Sequence, residues 1–222
     1  MKDKLDVVIK KLQSYSFILF IGLLVIAFVI VFAISQIRQR TRDESSTEDT
    51  SVLNPDPDDV TNILEETFII PVQSDVEYEV ARDYWDPTLP QEELLKTIIK
   101  NENRYEQNRG INYRAIDKST FKVVAAATGK VVRVDEDDRL GIIVEIEHVD
   151  DLRTRYYSLS EAKVSVGDTV KQGDVIGLSG TNYDTESGNH VHFEILKGEA
   201  RLNPKNMIGH KLKEFVNTDN ED

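Results

Sequence analysis

The 222-residue sequence contains no cysteine, which excludes disulfide bonds and thiolate metal ligands. Basic residues are also scarce, because 27 Lys and Arg stand against 40 Asp and Glu, for a formal net charge of −13. Nucleic-acid binding depends on Lys and Arg that neutralise phosphates, so this balance argues against a nucleic-acid partner. The acidic surplus instead favours solubility.

Charged residues are missing from one long stretch near the N-terminus. Residues 17–34 are all apolar or Gly, and with residues 35–37 they can cross a hydrocarbon core of about 30 Å at about 1.5 Å per residue. We predict a transmembrane helix over residues 17–37, a cytoplasmic tail over 1–16 and an exported C-terminal domain. A cleaved signal peptide is the alternative, but the apolar run is longer than a usual signal h-region. Lys and Arg lie on both flanks of this stretch, so the positive-inside rule hardly distinguishes the two possible orientations of the span.

The next part of the chain changes from an acidic linker to short structured elements. Residues 38–66 are rich in Asp, Glu, Ser, Thr and Pro and predict a flexible linker. Residues 67–107 predict an N-terminal extension with an edge strand at 68–72, a looser strand at 76–84 and a helix from Pro90 to about Asn103. The apolar face of that helix is predicted to contain Leu94, Leu95, Ile98 and Ile99.

From Gly110 onward the pattern predicts a mainly β domain. Short runs rich in Val, Ile and Tyr at 121–127, 129–134, 142–148 and 153–159 are separated by turn residues. Connections this short require antiparallel pairing, because parallel strands need long crossovers. In the run 142–148, apolar residues alternate with Ile143, Glu145 and Glu147, which is typical of a half-buried strand.

Two histidines near the C-terminal end form the sharpest local pattern. His190 and His192 are separated by one residue, so on a strand both side chains point to the same face and can reach one site. An isolated pair of this kind is weak evidence, but other motifs precede it in order, at 129–132, 156–160 and 164–177. Together these segments resemble the LytM-type zinc metallopeptidase family M23, which cleaves peptide cross-links in bacterial cell walls.

This resemblance covers residues from about 108 to 204 and implies the fold. It predicts an antiparallel β-sheet LytM/M23-type domain, similar to a duplicated hybrid motif, over residues 108–208. A short helix would precede that domain, the transmembrane helix would lie before both, and a C-terminal tail would occupy 209–222. The resemblance also favours a structural role for His148, and His210 is predicted to be exposed to solvent.

The resemblance also implies which residues would form the site. In active members, zinc is held by the His and Asp of an HxxxD motif and by the second His of HxH. Asn108, Asn112 and His192 stand at those positions here. The groups that move protons correspond to His190 and Ser158, the latter in place of a His. A catalytic zinc needs three protein ligands from imidazole, thiolate or carboxylate groups, and it must also lower the pKa of its water. We therefore predict no metal, no cofactor and no enzyme activity, with His190 and Ser158 as remnants.

A narrower resemblance points to LytM-domain proteins of endospore formation. It implies a single-pass protein of the forespore membrane whose C-terminal domain lies in the intermembrane space. The implied partner is the ectodomain of stage III sporulation protein AH, in a channel needed for engulfment and forespore gene expression. Other sporulation or peptidoglycan-remodelling proteins and a ring-forming homo-oligomer are further expectations. Residues 133–140 and 181–187 are predicted to border the groove and to contact the partner, and an exposed sheet edge could accept a partner strand.

Three other functions stay open at this point. A degenerate LytM domain could regulate cell-wall amidases, although no sustained heptad pattern typical of such regulators lies between residues 42 and 105. A residual M23 peptidase would need an unusual metal site. A biotinyl or lipoyl hairpin over 164–177 ranks last, because no modifiable Lys lies in a suitable turn.

Overall fold

The computed structural model describes residues 57–101 and 104–216. The predicted tail, the predicted span at 17–37 and the linker up to residue 56 lie outside these residues. Within the described ranges, none of the helices combines the length and the hydrophobicity needed to cross a bilayer.

The described residues form a mainly β structure with two short helices, α1 (Pro57–Leu64) and α2 (Gln91–Lys96). Two 3-10 turns follow at Pro204–Asn206 and Leu212–Phe215. The strands are β1 (Tyr78–Arg82), β2 (Ile98–Asn101), β3 (Arg104–Gln107), β4 (Ile111–Ala115), β5 (Lys122–Val124), β6 (Gly129–Asp137), β7 (Gly141–Glu147), β8 (Leu152–Ala162), β9 (Thr169–Val170), β10 (Val175–Ser179), β11 (Val191–Lys197) and β12 (Ala200–Leu202).

Ten of these strands form one sheet in which every pair is antiparallel. The main path runs β1-β4-β11-β8-β7-β6-β9, with β12 on β11 and β10 joining β5 to β8. The hairpin β2–β3 is a separate two-stranded sheet. The predicted mainly β, antiparallel fold is confirmed.

The core lies beneath the central strands β4, β8 and β11. Tyr156 and Phe193 are fully buried there, with ring centroids 5.3 Å apart. Gly110 precedes β4 at a point where the chain passes so close to β11 that a Cβ atom would lie 2.3 Å from the carbonyl oxygen of Phe193. Only glycine allows this approach, which positions the segment before β4 against the sheet.

The helix predicted from Pro90 to Asn103 is wrong in length, because α2 ends at Lys96 and β2 begins at Ile98. Thr97 closes the helix, since its N–H and its hydroxyl both donate to the carbonyl oxygen of Leu94, at 3.1 and 2.7 Å. The β-branched Ile98 and Ile99 then favour an extended backbone that pairs with β3. The predicted apolar face is wrong as well: Leu95 is 66% exposed, and Ile99 is buried as part of a strand.

Two apolar runs contain less strand than predicted. Within the segment 68–72 only Val72 forms a bridge, to Val123, and Thr67 just before it bridges to Lys211. Pro71 has no N–H to continue a ladder. Phe68 is nevertheless buried in the core. Of the run 121–127, only β5 is strand, and residues 125–127 are buried without regular structure.

The predicted half-buried alternation in β7 is also wrong, since Ile143 and Glu145 are buried along with their neighbours. The pairing register with β8 shifts between Ile142 and Val144, which breaks the two-residue period. Glu145 is covered by ion pairs from Arg155 at 2.7 Å and Arg153 at 3.2 Å.

The end of the predicted flexible linker 38–66 is helical. Residues 57–64 form α1, and Ile63 packs partly buried against the core. The start and the end of the described chain also pair with each other. The N–H of Phe68 donates to the carbonyl oxygen of His210, and Leu212 is fully buried.

Candidate functional site

The central strands bring together the five positions that the sequence singled out. Asn112 on β4 lies opposite His192 on β11, and His192 lies opposite Tyr157 on β8. Asn108 lies just before β4, Ser158 follows Tyr157, and His190 immediately precedes β11. The sheet register therefore gathers these residues from three adjacent strands.

Asn112 uses both ends of its amide. Its Nδ2 donates to Asp184 Oδ2 at 2.9 Å and to Ser187 Oγ at 3.0 Å. Its Oδ1 lies 2.6 Å from His192 Nδ1 and accepts the proton of that nitrogen. A carbonyl oxygen can only accept, so Nδ1 of His192 carries a proton and has no free lone pair.

Asn108 is a fully buried junction between the segment before β4 and the chain after β1. Its Nδ2 donates to the main-chain carbonyl oxygens of Gly110 at 2.8 Å and Asp83 at 3.0 Å. Its own N–H and carbonyl bond to Thr97 and Trp85. Its Oδ1 is buried and has no hydrogen-bond partner among the described residues. Three carbonyl oxygens lie around Nδ2, including that of Arg82 at 3.4 Å, which fixes the orientation of the amide.

His190 and Ser158 form a closed pair under the sheet surface. The Nδ1 of His190 lies 2.8 Å from the carbonyl oxygen of Gly188 and donates to it. Its Nε2 therefore accepts from the hydroxyl of Ser158, at 3.0 Å. Burial lowers the pKa of His190 to about 4, which keeps the imidazole neutral at pH 7. Both side chains are fully buried, so neither can meet a substrate.

Ser158 also has an unusual backbone. Its φ is +65°, in the left-handed region that a residue with a Cβ rarely adopts. Such strain persists only where the surroundings over-determine it, and it is concentrated at functional sites. The position that the resemblance assigns to a catalytic His thus keeps a strained backbone although the side chain is a serine.

A groove of about 580 Å³ opens above these residues. Its floor contains Asn108, Asn112, Tyr157, His192 and Glu194, and His190 and Ser158 are not part of its lining. Burial alone would raise the pKa of Glu194, but the hydrogen bonds and charges of His192 and Arg201 lower it overall, so the groove holds a carboxylate. Leu140, Asn182 and Tyr183 also line it, as predicted for the segments that border the groove.

Sequence reasoning missed a buried ion pair beside the groove. Arg82 at the end of β1 bonds to Asp184 through Nε at 2.8 Å and a terminal nitrogen at 3.0 Å, with side-chain exposures of 6% and 1%. Burial would raise the pKa of Asp184, but hydrogen bonds from Arg82 and Ser187 lower it overall. No motif spacing signals this pair. The only hint is that Arg82 is the first basic residue after a run of 39 residues, 43–81, that has none.

The remaining histidines lie away from the groove. His148 is buried, with Nδ1 2.8 Å from the carbonyl oxygen of Thr128 and Nε2 2.9 Å from Thr154 Oγ1, which fits the predicted structural role. Burial lowers its pKa to about 4. His210 is exposed, as predicted. Among residues 57–101 and 104–216, no three His, Asp or Glu side chains are grouped so that they could hold a metal ion.

Comparisons with known proteins agree with this geometry. The profile of peptidase family M23 matches residues 106–204. A chain in the structure of the SpoIIQ–SpoIIIAH pore forming complex is 38% identical, with a TM-score of 0.66 over 68% of this chain and 96% of that chain. The chain belongs to peptidase family M23. Within this M23 family it is similar to Stage II sporulation protein Q of Bacillus subtilis (strain 168), at 40% identity over 144 residues.

Coverage differs among these M23 relatives. The match to Stage II sporulation protein Q covers 64% of this chain and 51% of that protein, so this chain spans about half of its length. A chain in a crystal structure of the SpoIIIAH and SpoIIQ complex matches at 40% identity and a TM-score of 0.62, over 64% of this chain and 100% of that chain. An uncharacterized metalloprotease of Buchnera aphidicola subsp. Baizongia pistaciae is 33% identical over 44% of this chain and 27% of its own length.

Proposed function

We propose that this protein is a non-catalytic, membrane-anchored binding protein of endospore formation. Its M23 domain binds the ectodomain of SpoIIIAH, stage III sporulation protein AH, across the space between the forespore and mother-cell membranes. The observation that carries this proposal is the similarity to a chain of the SpoIIQ–SpoIIIAH pore forming complex, which this protein matches over nearly all of that chain.

The donor chemistry of the site supports a non-catalytic role. Asn112 Oδ1 and His192 Nδ1 satisfy each other, and Asn108 directs its Nδ2 to main-chain oxygens. The residues at the three positions that the resemblance assigns to the metal therefore offer one imidazole and two neutral amides. Catalytic zinc needs three strong ligands and an open fourth position, and these residues do not fit it. The protein then has no means of making a zinc-bound hydroxide, which M23 chemistry requires.

The proposed arrangement across the chain follows from the sequence. Residues 1–16 form the forespore tail, residues 17–37 the single span and residues 38–66 an acidic connection that ends in α1. Residues 67–107 support the degenerate M23 domain at 108–208, and 209–222 complete the C-terminus. In this arrangement the complex is a ring-forming channel, and engulfment and forespore gene expression depend on it.

A binding experiment tests this function. The full chain in detergent is titrated with the SpoIIIAH ectodomain, and the complex is measured by calorimetry and light scattering. A saturable complex supports the proposal. If the protein forms no complex with SpoIIIAH but binds a cell-wall amidase tightly and activates it, the protein is a regulator of amidases instead.

A catalytic test accompanies the titration. The same protein is incubated with muropeptides in the presence of zinc. Zinc-dependent cleavage would assign it to the active peptidases and contradict the proposal.

A further inference from the structure

The groove has two rims that come from distant parts of the chain. One rim is the hairpin β2–β3, which contributes Ile99 and Tyr105, and the other is the segment 181–187, which contributes Asn182 and Tyr183. An outer contact joins the hairpin to the β6–β7 turn, where Arg139 lies 2.6 Å from Glu106. That ion pair is exposed and therefore contributes little.

Arg82 lies beneath both rims and bonds to each of them. Toward the segment 181–187 it donates from Nε and one terminal nitrogen to Asp184, and from the same terminal nitrogen to Glu186 at 2.8 Å. Toward the hairpin, the other terminal nitrogen donates to the carbonyl oxygens of Ile98 at 2.6 Å and Lys96 at 3.2 Å. A guanidinium has five N–H donors, and these five bonds use all of them.

Asp184 extends this network to the groove floor. Its Oδ2 accepts from Arg82, Asn112 and Ser187, at 2.8, 2.9 and 2.5 Å. Asn112 in turn faces His192. The buried positive charge is therefore linked through one carboxylate to two of the positions that active M23 members use for the metal.

We infer that Arg82 is a positioning residue that fixes both rims of the groove, and that its guanidinium supplies the buried cation around which the groove is organised without a metal ion. Lysine cannot replace it, because an ammonium is a point charge with three donors and cannot span both rims. The inference does not depend on SpoIIIAH as partner, because it concerns only how the groove is held.

Hydrogen exchange on the full chain in detergent, followed by mass spectrometry, tests this role. In Arg82→Met, amide exchange should become at least about tenfold faster in residues 96–101, 104–107 and 181–187, because breaking a buried pair leaves Asp184 uncompensated. The central strands β8 and β11 should keep their protection. In Arg82→Lys, exchange in both rims should be faster than in the wild type but slower than in Arg82→Met. The matched control is Arg114→Met on β4, which removes a half-exposed ion pair with Glu79 on β1 and should leave both rims unchanged.

A second variant tests the two rims independently of each other. It also tests the inference if Arg82→Met does not fold. Asp184→Asn removes the carboxylate but leaves the bonds from Arg82 to Lys96 and Ile98 in place. We expect faster exchange in 181–187 alone. Equal loosening of both rims in this variant would overturn the inference.

Three further outcomes would also overturn it. Unchanged rims in Arg82→Met would show that other contacts hold the groove, and uniform loosening of the whole sheet would assign Arg82 to general stability. A chelator should leave exchange in the wild-type rims unchanged. If it loosens them and zinc restores them, a metal ion holds the groove instead.

Discussion

Ser158 and His190 illustrate the chemistry at the residue scale. Their hydrogen bond is buried, the imidazole is neutral, and the backbone of Ser158 is in a strained left-handed conformation. A buried acceptor without a donor destabilises a protein more than the mean hydrogen bond stabilises it. The pair therefore serves the fold, and its contribution can be measured as stability.

Ser158→Ala should lower the free energy of unfolding by about 1–3 kcal/mol, because His190 Nε2 loses its donor inside the domain. Urea unfolding measures the change. The matched control is Ser165→Ala on an exposed turn, which should stay within about 0.5 kcal/mol of the wild type. Equal stability of the two variants would show that the bond to His190 has no energetic role.

His148 gives the domain a pH dependence. Its pKa is about 4 in the folded protein because of burial, and about 6.5 in the unfolded chain. Between these values the unfolded chain binds the extra proton, so stability is full above about pH 6.5 and falls as the pH drops toward 4, by up to about 1.4 kcal/mol per pH unit. Urea unfolding of His148→Gln between pH 4.5 and 7 should show a shallower fall than the wild type. An identical slope would contradict this.

The motif residues could be predicted from the sequence, and the residues that hold them could not. Asn108, Asn112 and His192 stand at fixed spacings within a recognisable series. Arg82 and Asp184 have no such spacing, because their pairing is a tertiary contact across 102 positions. Only the folded structure brings Arg82, at the end of β1, into contact with Asp184 in the segment 181–187.

At the element scale, the segment around α2 shows where local patterns fail. The spacing of Leu94, Leu95, Ile98 and Ile99 suits a helix, yet β-strand preference and pairing with β3 decide the second half. The strands from β6 to β8 were predictable, because their connections are short and rich in turn residues. The burial of Glu145 on the second face of β7 could not be predicted, because Arg153 and Arg155 of β8 cover it.

A matched pair of variants tests this boundary. Ile99→Ala should lower the free energy of unfolding by about 2–5 kcal/mol, since the side chain is 3% exposed. Leu95→Ala should change it by less than about 0.5 kcal/mol, since Leu95 is mostly in solvent. A helix that continued to Asn103 would bury both residues, so similar losses in urea unfolding would contradict the observed boundary.

At the scale of the whole molecule, the domain extends beyond the part that matches the M23 profile. β1 pairs with β4, and Phe68 and Leu212 enter the core from opposite ends of the described chain. The segments on both sides of 106–204 are therefore parts of one fold. The sequence predicted the order of these parts, but it could not predict that the two ends pair with each other.

The absence of cysteine makes the proposed membrane topology testable. Ser14→Cys should be protected from a membrane-impermeant maleimide in intact cells, and Ser46→Cys should be labelled, because the two positions flank the proposed span at 17–37. Detergent lysis should expose both, which controls for reactivity. Labelling of Ser14→Cys alone in intact cells would reverse the proposed orientation.

The central claim is that the M23 domain binds a protein partner without using a metal. The most direct measurement is a titration of the full chain in nanodiscs with the SpoIIIAH ectodomain, carried out in chelator and again with added zinc. We predict the same affinity in both conditions, because Arg82 and the amides of Asn108 and Asn112 organise the groove. Loss of binding in chelator and its recovery with zinc would contradict the account.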